Sequence, residues 1–130
     1  MHFLVYPTER CNLQCSYCDT EEESKHLVKD RTYTLSDIIS FFRHVKKPGI
    51  TFYGGEPTFE QDFITNLMDS IDFSYISIVT NGYKLSEIPL NYLKRMDMIS
   101  ISLDGDRATT DSKRGQGAYK TALESASYLK

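Results

Sequence analysis

Ile50-Thr51-Phe52-Tyr53-Gly54-Gly55-Glu56-Pro57 runs straight into Thr58-Phe59-Glu60-Gln61. The first four residues, β-branched and aromatic, read as a short strand. Two glycines suit a tight turn, and Thr58-Phe59-Glu60-Gln61 has the pattern of a capping box that opens a helix. Behind it Phe59, Phe63, Ile64, Leu67 and Ile71 recur at helical spacing and are expected to form the buried face. Strand, glycine turn and helix make one β-α unit.

The same unit recurs on both sides. Upstream, His2 to Tyr6 reads as a short buried strand, followed by a loop with three cysteines and a long polar stretch from Asp19 to Thr34. A connection of that length is usually functional or disordered, and it is expected to be mobile. Leu35, Ile38, Ile39, Phe42 and Val45 predict an amphipathic helix that Pro48-Gly49 stops. Downstream, Tyr75 to Thr80 is a strand closed by Asn81-Gly82. Pro89 to Met96 is a helix, with Ser86 or Glu87 near its start. Met98 to Leu103 is a strand ending in Asp104-Gly105, and Ala118 to Leu129 is a helix with Tyr119, Ala122, Leu123 and Ala126 on one face. Four β-α units in series place the chain in the α/β class, with a parallel sheet and right-handed crossovers. A complete β/α barrel takes about 250 residues. This chain has 130 and shows no helix C-cap at Lys130. Its fourth strand would leave an open apolar edge, so residues 1–130 are expected to be the N-terminal piece of a longer protein.

The composition, 40% hydrophobic and 25% charged, is that of one soluble globular domain. A formal net charge of −3 with scattered lysines and arginines argues against nucleic acid as a partner. The N-terminus lacks the basic and long apolar regions of a signal peptide, and no window approaches the roughly 20 apolar residues of a membrane span. A cytoplasmic location is therefore expected, with the thiols kept reduced.

In parallel α/β sheets, function collects beyond the C-terminal ends of the strands. Every unusual segment here falls at such an end. Cys11, Cys15 and Cys18 follow the first strand and are the only cysteines in the chain. Three thiolates on one short loop can hold three irons of a four-iron cluster and leave the fourth iron open. A structural zinc site would need a fourth ligand, and His2, His26 and His44 lie in no zinc-like spacing. Clustering of all three within eight positions of a polar loop also argues against three unrelated buried thiols. Gly54, Gly55 and Glu56 end the second strand: glycines there let a ligand approach the backbone, and a carboxylate can accept from an ammonium group. At the fourth strand Ile99, Ile101 and Leu103 alternate with Ser100, Ser102 and Asp104, so the polar set is expected to point inward. Arg114, twelve residues past Ser102, reads on its own as a solvated surface arginine; its place near a strand end gives it a second reading, as a clamp for a carboxylate.

With Cys-x3-Cys-x-aromatic-Cys (Cys11, Cys15, Tyr17, Cys18) and Gly54-Gly55-Glu56-Pro57 one strand later, the chain resembles the radical S-adenosylmethionine (radical SAM) family along its whole length. The resemblance implies the first two-thirds of a partial (β/α)6 TIM-like barrel. It implies that Cys11, Cys15 and Cys18 bind a 4Fe-4S cluster whose open iron takes the amine and carboxylate of S-adenosylmethionine. Tyr17 would contact the adenine side, and Gly54, Gly55 and Glu56 the methionyl ammonium. Ser102-Leu103-Asp104-Gly105 followed by Asp111-Ser112-Lys113-Arg114-Gly115 is similar to the peptide-modifying subgroup, which includes anaerobic sulfatase maturases and SPASM-domain enzymes. There Ser102 and Arg114 match residues that contact S-adenosylmethionine, while Thr110 stands where a histidine is usual. The implied chemistry is reductive cleavage to a 5′-deoxyadenosyl radical that abstracts hydrogen, with a low-potential electron donor and a peptide or protein substrate. Two alternatives stand beside it: the same chemistry on a small molecule or in activating a glycyl-radical enzyme, and a non-catalytic metal-binding domain.

Overall fold

The computed structural model describes residues 1–18 and 31–130. Most of the polar stretch expected to be mobile, residues 19–30, lies outside the described residues. Four strands form one all-parallel sheet in sequence order: β1 (His2–Val5), β2 (Gly49–Phe52), β3 (Tyr75–Thr80) and β4 (Met98–Ile101). Helices α1 (Leu35–Arg43), α2 (Gln61–Ser70) and the single turn α3 (Leu90–Leu93) connect them, and α4 (Arg107–Arg114) and α5 (Ala118–Tyr128) follow. The α/β class and the parallel sheet are those the β-α series predicts.

Register explains which side chains meet the helices. Phe3 pairs with Ile50, Ile50 with Ile76, Phe52 with Ile78, and Ile78 with Ile99, so an apolar row crosses one face of the sheet. Phe42, Phe63, Ile64, Leu67, Met68, Leu85, Ile88 and Leu93 pack on that row. Each fully buried side chain among them contributes about 1.5–3 kcal/mol. On the opposite face the intervening positions are mixed: Leu4, Val79 and Met98 are apolar, and His2, Thr51, Ser77 and Ser100 are polar. His2 Nε2 lies 2.7 Å from Thr51 Oγ1, which lies 2.6 Å from Ser77 Oγ, a hydrogen-bonded row across three strands. Ser100 continues that side on β4 through its pairing with Val79.

Several expected boundaries and burial patterns move. His2 and Leu4 on β1 are exposed: β1 is an edge strand, and these two side chains stand on the face away from the helices. The capping box at Thr58 does not form. Thr58 Oγ1 instead donates to Glu56 at 2.6 Å, and Glu60 is drawn to Arg10 at 2.6 Å and Arg31 at 3.1 Å. Pro57–Glu60 becomes a 3-10 turn ahead of α2, and Phe59 is only half-buried. A capping box does occur at α1, between Thr34 and Asp37. The helix expected over Pro89–Met96 shrinks to Leu90–Leu93 after a 3-10 turn at Leu85–Glu87. Strand β4 stops at Ile101, and Leu103 turns outward to solvent. On α5 the buried positions are Ala118 and Ala122, while Leu123 and Ala126 are exposed. Helix α4 was not expected. Asp106 caps it by accepting from Thr109 N at 2.9 Å, and Gly115, at φ +113°, ends it. Among the described residues, no helix is long and apolar enough to cross a membrane.

Candidate cofactor site

The turn after β2 fixes the cysteine loop through the main chain. Gly55 N donates to Thr8 O at 3.2 Å and Glu56 N to Arg10 O at 2.8 Å. A Cβ on Gly55 would stand 2.3 Å from Glu9 O, and one on Gly54 (φ +135°) would stand 2.5 Å from Thr8 O. No side chain fits either position. The glycines were expected to admit a ligand to the strand backbone. What lies against them is the chain's own approach to Cys11, although both also border the cleft described below.

Glu56 is fully buried. Its Oε1 accepts from Thr58 N at 3.3 Å, Thr58 Oγ1 at 2.6 Å and Thr80 Oγ1 at 2.6 Å, and its Oε2 accepts from Asn81 N at 2.7 Å. One carboxyl group thus ties the ends of β2 and β3 together. A further donor, such as an ammonium group, would have to share Oε2, which among the described residues carries a single bond.

The far side of the cysteine loop is held by the end of β4 and by α4. Arg114 Nε and Nη2 donate to Asp104 at 2.6 and 3.2 Å, Tyr17 Oη donates to the same carboxylate at 2.7 Å, and the guanidinium lies 5.4 Å from the Tyr17 ring centre. Ser16 N donates to Lys113 O at 2.9 Å. Thr110, fully buried where the similar subgroup has histidine, braces this corner by accepting from Asp104 N at 3.3 Å. The carboxylate expected for Arg114 is therefore supplied in the chain itself, and part of the arginine's five-donor fork remains for another.

The Arg114 hydrogen bonds, helped by that of Tyr17, hold the Asp104 carboxyl below its ordinary range despite partial burial. Burial first, then the Asp104 bond, pushes Tyr17 up to about 12. Because the folded value of Asp104 is depressed, its contribution is complete above the ordinary carboxylate range near pH 4 and is lost as pH falls through the depressed value. The junction therefore persists through neutral pH. Asp104→Ala should release the loop. Ser16 amide exchange should accelerate by more than about tenfold, reflecting loss of roughly 2 kcal/mol of charge-assisted bonding. Unchanged exchange at Ser16 would show that the loop does not depend on Asp104.

The three cysteines are thiols, with Cys11 exposed and Cys15 and Cys18 half-buried. Burial raises the Cys11 and Cys15 thiols above their ordinary range, with Arg114 opposing the rise at Cys15. Loading of a metal on these sulfurs must therefore release protons. Asn81, which the sequence reading noted only as the end of β3, reaches the same place: its Nδ2 lies 3.7 Å from Cys11 Sγ. Its position at a strand end was the signal available.

Cys11, Cys15, Cys18, Tyr17, Gly54, Gly55, Glu56, Ser102 and Arg114 all line one cleft at the C-terminal edge of the sheet, together with Asn81. Among the described residues, no three His, Cys, Asp or Glu side chains meet around a point that could hold a single metal ion. An iron-sulfur cluster asks for a different arrangement, one thiolate to each iron with sulfides between. The all-thiolate donor set fits that demand, and the adjoining wall offers both an acceptor (Glu56) and a cation (Arg114).

The profile of the Radical SAM superfamily matches residues 5–130. Fe-coproporphyrin III synthase of Methanosarcina barkeri is 33% identical over 131 aligned positions, covering 89% of this chain and 30% of the relative. GTP 3′,8-cyclase of Clostridium perfringens is 30% identical over 110, covering 77% and 34%. The chain thus spans about a third of the length of the curated relatives it matches. Among solved structures, anSMEcpe with bound AdoMet superposes with a TM-score of 0.75 at 23% identity, over 98% of this chain and 39% of that one. The same protein with AdoMet and the Cp18Cys peptide gives 0.72 at 22%.

Proposed function

The chain belongs to the radical SAM superfamily, and from that premise we propose that it forms the cluster- and S-adenosylmethionine-binding part of a larger radical SAM enzyme barrel. Membership implies a 4Fe-4S cluster and S-adenosylmethionine as cofactors, and a reductant to drive them. Once bound, they supply reductive cleavage of the sulfonium to a 5′-deoxyadenosyl radical that abstracts hydrogen. The protein's own task is to position, to exclude water and to hold charge. Cys11, Cys15 and Cys18 are the iron ligands. Glu56 Oε2 and the Gly54–Gly55 backbone receive the methionyl ammonium, Ser102 and Arg114 its carboxylate, and Tyr17 borders the adenine side.

The observation that carries this reading is the convergence of those nine residues, drawn from three strand ends, on one cleft. Anaerobic iron-sulfide reconstitution of the protein, followed by assay for 5′-deoxyadenosine with a strong reductant, is the test. Iron uptake with product formation is expected. Stoichiometric zinc without iron would overturn it.

We read the substrate as a peptide or protein side chain. Ser102-Leu103-Asp104-Gly105 with Arg114 supports this, as does the likeness to a structure that holds a peptide. A second reading, a small molecule, draws on the curated relatives named for GTP and coproporphyrin chemistry. Stimulation of 5′-deoxyadenosine formation by the peptide-sized fraction of a cell extract, against the smaller-molecule fraction, separates the two.

A further inference from the structure

Asn81 stands at the end of β3, 8% exposed, with every polar group of its side chain engaged. Its Oδ1 accepts from Tyr83 N at 3.1 Å, and its Nδ2 donates to Asn12 Oδ1 at 2.8 Å and to Cys11 Sγ at 3.7 Å. A backbone N–H can only donate, so Tyr83 decides which end of the amide is oxygen and turns the NH2 toward the cysteine loop. The Asn81 backbone is held independently, by its N–H to Glu56. The side chain is therefore aimed from both ends, and its two protons are divided between a loop carbonyl group and a sulfur.

We propose that Asn81 is a positioning residue for the cluster, its amide donating a hydrogen bond to the sulfur of Cys11; this rests on the cluster reading given above. Hydrogen bonds to ligand sulfurs are among the levers that set the potential of an iron-sulfur centre. A donor favours the more negatively charged reduced state, because an ionised acceptor gains more from it than a less charged one. Leu13 N also donates to Cys11 Sγ, at 3.4 Å, so among the described residues Asn81 supplies one of two bonds. The one from the loop itself travels with the cysteine, whereas the one from Asn81 anchors it to the sheet.

The test is an anaerobic redox titration of the reconstituted protein, followed by the electron paramagnetic resonance signal of the reduced cluster, with iron content measured in parallel. Asn81→Ala is expected to keep its iron and to move the midpoint to more negative potential. The shift should be up to about tenfold in the reduced-to-oxidised ratio, or about 59 mV for one electron. Asn81→Ser can still accept from Tyr83 N through a short hydroxyl but cannot reach the sulfur, so it should shift in the same direction with the turn preserved. Asn12→Ala removes the amide's other partner and should leave the midpoint in place. Unmoved midpoints in both Asn81 variants, with the cluster loaded, would overturn the inference alone. An equal shift in Asn12→Ala would overturn it too, by assigning the effect to the loop. Failure of the unsubstituted protein to load iron would instead remove the cluster reading beneath it.

Discussion

Glu56→Ala should cost the fold about 3–5 kcal/mol, read as a fall in the urea midpoint at unchanged slope. Four donors meet on this fully buried carboxyl: two backbone N–H groups and two hydroxyls. Each buried group left without a partner costs roughly 1–3 kcal/mol. The hydroxyls can turn to other acceptors and water can enter from the cleft, so the sum is less than four full penalties. Glu56→Gln separates shape from chemistry. It keeps an oxygen for the Thr58 and Thr80 donors but sets an NH2 against the Asn81 N–H, and should cost about 2 kcal/mol. A loss within 1 kcal/mol for Glu56→Ala would mean that the strand ends do not depend on this group. Against the 5–15 kcal/mol of an ordinary domain, the expected loss is a large share. Glu56 therefore matters to the protein before any ligand arrives.

Cys15→Ala should do the reverse, leaving the fold and removing the chemistry. Cys15 is half-buried on a loop held by backbone and by Tyr17, so stability should change by no more than about 1 kcal/mol. The chain has three cysteines and no spare thiolate to take its place. Outer-shell changes around metal sites typically cost about 10- to 100-fold, and loss of a ligand should exceed that. Cluster absorbance and 5′-deoxyadenosine should both fall to background after reconstitution. Retention of a full cluster with undiminished product would show that Cys15 is not an iron ligand.

The parallel sheet was legible because β-α units announce themselves by apolar period and by glycine turns: Ile50 to Phe52 and Tyr75 to Thr80 fall where their residues predict. The candidate site was legible because its residues are chemically rare or sit at strand ends. Partnerships were hidden. Nothing local distinguishes Glu60 as a cap from Glu60 as the mate of Arg10 and Arg31, since those arginines lie 50 and 29 positions away. Asp104 read as a strand-end residue with its polar side chain turned inward, and nothing local showed that its carboxylate joins Tyr17, 87 positions away, to Arg114. Helix α4 was missed because its sequence, Arg107 to Arg114, is polar almost throughout, with Ala108 its one apolar residue. Gly54 and Gly55 were recognised as necessary, but the crowding that makes them so comes from backbone 45 to 46 residues upstream, in Thr8 to Arg10.

That two-sided attachment of the cysteine loop has a consequence for when the site comes into being. Synthesis delivers the three thiols first. Gly55 and Glu56, which seat Thr8 and Arg10, follow some forty residues later on the order of seconds at ordinary elongation rates. Lys113 and Arg114, which secure Ser16 and Tyr17, come later still. A chain only part-way off the ribosome carries every sulfur but lacks the frame that spaces them. The cysteine loop is anchored on both sides only once the fourth β-α unit has emerged.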